Sequence, residues 1–399
     1  MVDPDVRLER GEATLRGCPW PDARAAARAA AGPLPVEHVA LADAAGRTLA
    51  RPLAARTDLP AFDTSAMDGW AVAGPGPWRL TGRLLAGDFG HPLPDGTAVE
   101  IATGAQLPPG ATGVLRREHG RVDEHPGDVR QLHGRVDPGQ DIRPRGQECT
   151  SGEELLPAGT MVTPAVLGLA AAAGHDTLAV HRRPTVELLV LGDELLDSGL
   201  PGPGRVRDAL GPLLPPWLAA AGAELIGRRY VRDDFGLLRD AIRHSPADLV
   251  LTTGGTAAGP VDFLHDALEA TGGHLRVDGV AVRPGHPMLL AALPGGRHLV
   301  GLPGNPLAAV AGTVTLALPL LHARSGRPAP APHTGHLAAP LPGHPRDTRL
   351  HPVRHTPTGL ALLPHDGPAM LRGLALADAL AVIPPAGLPA GAQTELLAL

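Results

Sequence analysis

Lysine is absent from this chain of 399 residues: all 35 of its basic residues are arginine. Aromatic residues make up only 2% of it, so the core must be built from Leu, Val and Ala, and stacking platforms for bases are scarce. Two cysteines, Cys18 and Cys149, are too few for a disulfide framework or a Cys-based zinc site, and they point to a reducing compartment. No run of 18 consecutive apolar residues occurs, and the first residues, Met-Val-Asp-Pro-Asp-Val-Arg, lack the cationic start and apolar centre of a signal peptide. A cytoplasmic protein with no membrane partner is the expectation. A net charge of −6 with a pI near 6.3 leaves no basic footprint for nucleic acid. The missing lysine, beside 51 Gly and 45 Pro, reads as composition pressure, so an Arg where Lys is expected does not by itself signal a new role.

What is present divides the chain. Its length predicts two to four domains at a prior of roughly 150 residues each. Residues 20–31 are strong helix formers opened by Pro21 and Asp22. From 52 to 137 short alternating runs broken by Gly and Pro predict an inserted small β domain, flanked by an elongated N-terminal and linker region at 1–51 and 138–180. From 181 to 322 strands Val186–Leu191, Glu224–Tyr230 and Leu249–Thr253 alternate with helices near Leu210–Gly222 and Phe235–His244, which predicts a parallel-rich three-layer α/β domain. A Pro/Ala/Arg-rich linker opens a C-terminal domain, 323–399, with the short strands of a β-barrel.

Three Gly/Pro-rich turns in the α/β domain carry the chemistry. Leu-Thr-Thr-Gly-Gly-Thr at 251–256 is an apolar strand emptying into a turn without side chains, where N–H groups can approach an anion. Arg-Pro-Gly-His-Pro at 283–287 and Gly-Leu-Pro-Gly-Asn-Pro at 301–306 follow short apolar segments in the same way. Together they predict one phosphate-binding crevice at the strand ends.

With these turns, the motifs Asp63-Thr-Ser-Ala-Met-Asp-Gly-Trp70, Ile101-Ala-Thr-Gly-Ala105, Arg143-Pro-Arg-Gly-Gln-Glu148 and Gly192-Asp-Glu-Leu195 occur in a distinctive order. In that order the chain resembles the molybdopterin molybdenumtransferases, cytosolic enzymes similar to the E domain of gephyrin, from about residue 35 to the end. The resemblance implies an elongated homodimer that inserts molybdate into adenylylated molybdopterin, with Mg²⁺, and releases AMP. It also implies the molybdopterin adenylyltransferase and acceptor molybdoenzymes as partners. In such enzymes the site lies between the α/β domain of one subunit and the small β domain of the other.

Carried over residue by residue, the resemblance implies catalytic roles for Asp262, Arg283, His286 and Glu194, and metal handling by Asp233 and Asp262, since hard cations prefer carboxylate oxygen. Substrate binding falls to Asp68, Thr103, Arg143, Glu148, Gly254, Gly255, Thr256, Pro303, Gly304, Asn305 and Arg349. Read without the resemblance, Glu194 is a helix-start acid, Asn305 supports its own turn, and Arg143 with Glu148 is a surface ion pair worth about 0–1 kcal/mol.

Departures from the family pattern gather near the chemistry. Ala257 and Pro260 replace a usual Ser and acid, and Leu191 replaces a Thr. Arg283, His286 and Gly279 stand where lysines are usual, and Asp366-Gly367-Pro368 lies where a Ser is expected. Lost charged hydrogen bonds typically cost roughly 1.5–3 kcal/mol each. The alternative reading is therefore a catalytically impaired paralogue that binds molybdopterin or acts as a dimeric scaffold.

Overall fold

A computed structural model describes residues 13–124, 130–256 and 263–399. The chain divides into two compact units. One is formed by the N-terminal segment through Glu37, Gly46–Ala50 and Val180–Leu399, the other by His38–Ala45 and Arg51–Ala179.

The larger unit is organised by a sheet whose strands run in the order Glu224–Val231, Thr185–Leu191, Leu249–Thr253, Arg297–Leu302, Leu289–Leu293, His274–Arg283. The first four are parallel; Leu289–Leu293 runs antiparallel to them, and His274–Arg283, antiparallel to that strand, runs again in their direction. Alternation within one strand makes the layers: Val186, Leu188 and Val190 join the cluster containing helix Leu210–Ala220, while Leu189 and Leu191 join Leu238, Ile242 and Leu264 on the opposite face. A strand covered on both faces reads as a near-continuous apolar run, which is why Val-Glu-Leu-Leu-Val-Leu, interrupted only by Glu187, was legible as a strand. Each fully buried Leu or Val contributes roughly 1.5–3 kcal/mol.

Helix starts follow local chemistry. Asp208 Oδ1 accepts the N–H groups of Leu210 and Gly211, and Asp234 Oδ1 accepts that of Leu237, opening helix Phe235–His244. The helical segment Pro306–Arg324 is long and apolar enough to cross a bilayer, but 78% of its apolar window is buried, as befits a core helix. Trp20, on the helix Trp20–Ala29, donates from Nε1 to Thr315 Oγ1 at 2.9 Å and packs into the same cluster.

The C-terminal residues form antiparallel strands, Thr348–Thr356, Gly359–Leu362, Ala379–Ile383, Gln393–Ala398 and His333–His336, over a core of Leu337, Val353, Leu360 and Ile383. They continue the α/β sheet, because Val282 and Arg283 pair in parallel with Thr348 and Arg349. That junction places two arginines side by side.

The smaller unit holds a six-stranded sheet in the order Gly113–Arg116, Gly69–Val72, Thr97–Ile101, Trp78–Leu84, Arg130–His133, Arg121–Glu124. Gly69 is sterically required there, since a Cβ would lie 2.0 Å from the Leu115 carbonyl oxygen. Backbone cannot swing aside as a side-chain tip can. Gly69→Ala therefore destabilises this sheet by about 3 kcal/mol or more, at the upper end of overpacking costs. Urea unfolding followed by tryptophan fluorescence, with Trp70 and Trp78 as reporters, measures it; a loss below about 1 kcal/mol would contradict the steric account.

Candidate functional site

Strand order reverses at Thr185–Leu191: the next strand of the sheet, Glu224–Val231, lies on one side of it and the one after, Leu249–Thr253, on the other, all three parallel. In open α/β sheets ligands bind outside the carboxyl ends of strands at such a reversal. A cleft of about 730 Å³ opens there, lined by Gly192, Glu194, Asp233, Gly254, Gly255, Gly304 and Asn305. Six sequence-selected residues and Gly192 therefore meet at one place.

Backbone conformation shapes its floor. Gly254 and Gly255 have φ of 91° and 71°, which L side chains rarely adopt, and a Cβ on Gly254 would lie 3.3 Å from the Leu191 carbonyl oxygen. Gly304 approaches so closely that its own Cβ would be 3.7 Å from the Gly254 Cα. The Gly254 N–H donates to Leu302 O at 2.8 Å and is not available to a ligand. Among the described residues the N–H groups of Gly255 and Thr256 have no partner, so the open part of the cradle begins one residue later. Thr256 itself is buried, its methyl group packed toward Gly301, and Pro303 is buried beneath the turn.

Carboxylates line the same cleft. Glu194 is exposed and folds back over Gly192: a Cβ at Gly192, whose φ is 134°, would lie 2.6 Å from Glu194 Oε2. Asp233 Oδ2 accepts the Asp193 N–H at 3.2 Å, tying the two turns together. Neighbouring Asp234 and Asp208 are occupied as helix caps, which leaves Glu194 and Asp233, among the described residues of the cleft, as the acids free to meet a ligand. Burial and the carboxylates of Asp197 and Asp208, both bonded to its hydroxyl, push the Tyr230 phenol well above its usual range. Tyr230 is therefore a donor that orders this wall.

Sequence reading missed two cations of the cleft, Arg207 and Arg232, both exposed. They sit in Gly/Pro-rich or acidic surroundings without a motif of their own, and only the fold brings them to the wall. Ala369 and Leu371 of the C-terminal strands' connection complete it. Arg283, His286 and Arg349 do not line this cleft; they gather at the junction of the two sheets. Arg283 Nε donates to Asp347 Oδ2 at 2.8 Å, and Arg349 donates to Pro342 O at 2.8 Å and Asp366 Oδ2 at 3.2 Å. His286 Nδ1 lies 2.7 Å from Val280 O, so that nitrogen carries the proton. Gly279 faces that ring, with Nε2 3.7 Å from where its Cβ would be. Between the two places runs segment 366–368, whose Pro368 oxygen accepts the N–H groups of Leu307 and Ala308 at the start of the core helix.

In the smaller unit Asp68 Oδ1 accepts both the N–H and hydroxyl of Thr103, at 2.8 and 3.1 Å. Those two bonds hold the exposed Asp68 carboxyl below the usual carboxylate range. Arg143 pairs opposite Thr64 in a short ladder, and Arg143 and Glu148 are exposed. The ion pair anchoring their turn joins Arg145 to Asp58 instead, while the Arg145 N–H donates to Asp63 at 2.7 Å. Asp262, Ala257 and Pro260 lie outside the described residues.

A glycine cradle with open N–H groups, two free acids and two arginines suits an anionic phosphorylated ligand accompanied by a hard cation. Among the described residues no group of three or more His, Cys, Asp or Glu forms a closed metal cage.

Residues 18–174 match the MoeA N-terminal region (domain I and II), 187–323 a family described as a probable molybdopterin binding domain, and 334–399 the MoeA C-terminal region (domain IV). A molybdopterin molybdenumtransferase of Synechococcus elongatus is 34% identical over 309 residues, spanning 73% of this chain and 76% of that protein. Molybdopterin molybdenumtransferase 2 of Mycobacterium tuberculosis is 35% identical over 318 residues, spanning 74% and 77%. Among solved structures, a molybdopterin biosynthesis MoeA protein from Pyrococcus horikosii superposes with a TM-score of 0.77 at 25% identity, covering 95% of this chain and 98% of that one. The chain belongs to the molybdopterin molybdenumtransferase family.

Proposed function

We propose that this chain is a cytoplasmic, homodimeric enzyme of molybdenum cofactor biosynthesis that inserts molybdate into adenylylated molybdopterin and releases AMP. The observation that carries the reading is the cleft itself: Gly254, Gly255 and Gly304 at the strand ends line it together with Glu194 and Asp233. Phosphoanhydride cleavage depends mainly on positioning and on neutralising charge. In this reading the Gly255 and Thr256 N–H groups cradle the phosphate, and Arg207 and Arg232 offset its charge from the rim. Glu194 and Asp233, with Asp262, are the groups that would hold Mg²⁺, whose oxygen preference they match and which commonly takes only one or two carboxylates plus substrate phosphates. When bound, the ion would neutralise phosphate charge as AMP departs. Arg283, Arg349 and His286 supply positive or hydrogen-bonding groups for the oxyanion, and Asp68 with Thr103 forms a second polar contact point.

The test is reconstitution. Purified protein with adenylylated molybdopterin, Mg²⁺ and molybdate is expected to release AMP and to restore an apo-molybdoenzyme, while omission of molybdate prevents restoration. Restoration no greater than a buffer control would overturn the proposal. Tight pterin binding without AMP release would instead favour the non-catalytic paralogue. Size-exclusion chromatography with light scattering checks the dimer.

A further inference from the structure

Arg283 and Arg349 are direct partners in the parallel contact between strands His274–Arg283 and Thr348–Thr356. Paired residues in a sheet share a face, and Asp347, in the bend just before strand Thr348–Thr356, reaches Arg283 directly. The Asp347 side chain is only 11% exposed, and its Oδ2 accepts the Arg283 Nε–H at 2.8 Å. Among the described residues the two terminal nitrogens of Arg283 have no hydrogen-bond partner, and its side chain stays 56% exposed. His344 Nδ1 accepts the Asp347 N–H at 3.2 Å and the Arg346 N–H at 3.4 Å, which fixes the turn presenting the carboxylate.

We propose that Asp347 is a positioning residue for molybdate: by holding Nε it orients the Arg283 guanidinium so that the fork of its two terminal nitrogens receives the oxyanion. The inference rests on the assignment of Arg283 to the oxyanion given above. A guanidinium is planar, so one strong bond at Nε fixes the direction of the remaining donors. The rotamer freedom otherwise lost on binding is removed in advance, which favours affinity for the anion rather than the rate of the chemical step. A lysine in place of Arg283 could not divide these tasks, because its single ammonium would rest on Asp347 itself. Arg283 and Asp347 therefore work as a unit, with the carboxylate acting only through the arginine.

The experiment measures kcat and KM for molybdate in AMP release by the full chain. Asp347→Ala is expected to raise KM about tenfold with kcat within about twofold, and Asp347→Asn, which keeps an acceptor for Nε, is expected to recover most of the loss. In an Arg283→Ala background, Asp347→Ala is expected to add less than about twofold. Arg283→Lys is expected to match Arg283→Ala in KM, an arm that remains decisive if Asp347→Ala loses its cooperative melting transition. An Asp347→Ala protein with wild-type KM, two substitutions whose effects multiply, or an Arg283→Lys protein with wild-type KM would each overturn the inference. A wild-type chain that never releases AMP sinks the proposed function as well, an outcome distinct from an active chain indifferent to Asp347.

Discussion

Glu194→Gln is expected to lower kcat/KM for molybdate insertion about a hundredfold while leaving the fold unchanged. The substitution is isosteric, and Glu194 is exposed, so the turn over Gly192 keeps its packing and loses only charge. The acid lines one cleft with a glycine cradle whose ligand is anionic, and Asp233 is the nearby acid that is not consumed as a helix cap. One charged interaction is worth roughly 1.5–3 kcal/mol, and each 1.36 kcal/mol is tenfold in rate, which spans about ten- to 150-fold. Two acids acting on one cation give the upper part of that range. Raising Mg²⁺ should recover part of the loss if the carboxylate acts through the ion. Initial rates of AMP release with Mg²⁺ varied provide the measurement, and a variant within twofold of wild type would move the chemistry away from this wall.

Asp248→Ala is expected to cost about 2–4 kcal/mol of stability, with specific activity of the folded protein unchanged. Asp248 joins the start of strand Thr185–Leu191 to the start of Leu249–Thr253, at the end of the sheet away from the cleft. Its Oδ2 accepts from Arg182 Nη1 at 2.9 Å, Thr185 N at 2.8 Å and Thr185 Oγ1 at 2.9 Å, and its Oδ1 accepts from Arg182 Nη2 at 2.8 Å. Removing it leaves Arg182 and Thr185 half-buried without their acceptor, which costs more than the bonds were worth in net terms. The pair is partly exposed, at 33% and 16%, so the figure stays below that for a fully buried pair. Burial on its own would raise the Asp248 pKa, but the bonds from Arg182 and Thr185 outweigh it and the folded carboxyl titrates below its usual range. Its contribution is therefore complete above the unfolded value, about 4, and is lost as pH falls through the lower folded value. Urea midpoints from pH 7 to pH 3 should show a wild-type decline at the acid end that is flatter in Asp248→Asn. Equal slopes would rule out this latch as its source.

Much of the α/β domain was legible because its signals are local. Strand Leu249–Thr253 and helix Phe235–His244 have the bounds their apolar patterns and flanking residues imply. Gly254-Gly255 was readable as a side-chain-free turn because few other residues tolerate positive φ. Arg207 and Arg232 were not legible: an isolated arginine in a polar loop looks the same in sequence whether it lines a cleft or faces solvent. Asp347 was equally silent. Its partner lies 64 residues away in the chain, and nothing in Pro-Arg-Asp-Thr-Arg distinguishes an orienting carboxylate from a surface one.

By itself, then, the sequence determined the elements, the glycine turns and the family, because propensity, period and turn chemistry act over a few residues. Tertiary structure alone decided which groups share a place. Strand order put Glu194 and Asp233 in one cleft with the cradle, and the pairing of residues 282–283 with 348–349 gathered Arg283, Arg349 and Asp347 at a separate junction. Those placements depend on sheet register between distant segments, and register is set by burial of whole faces rather than by any residue within the motif.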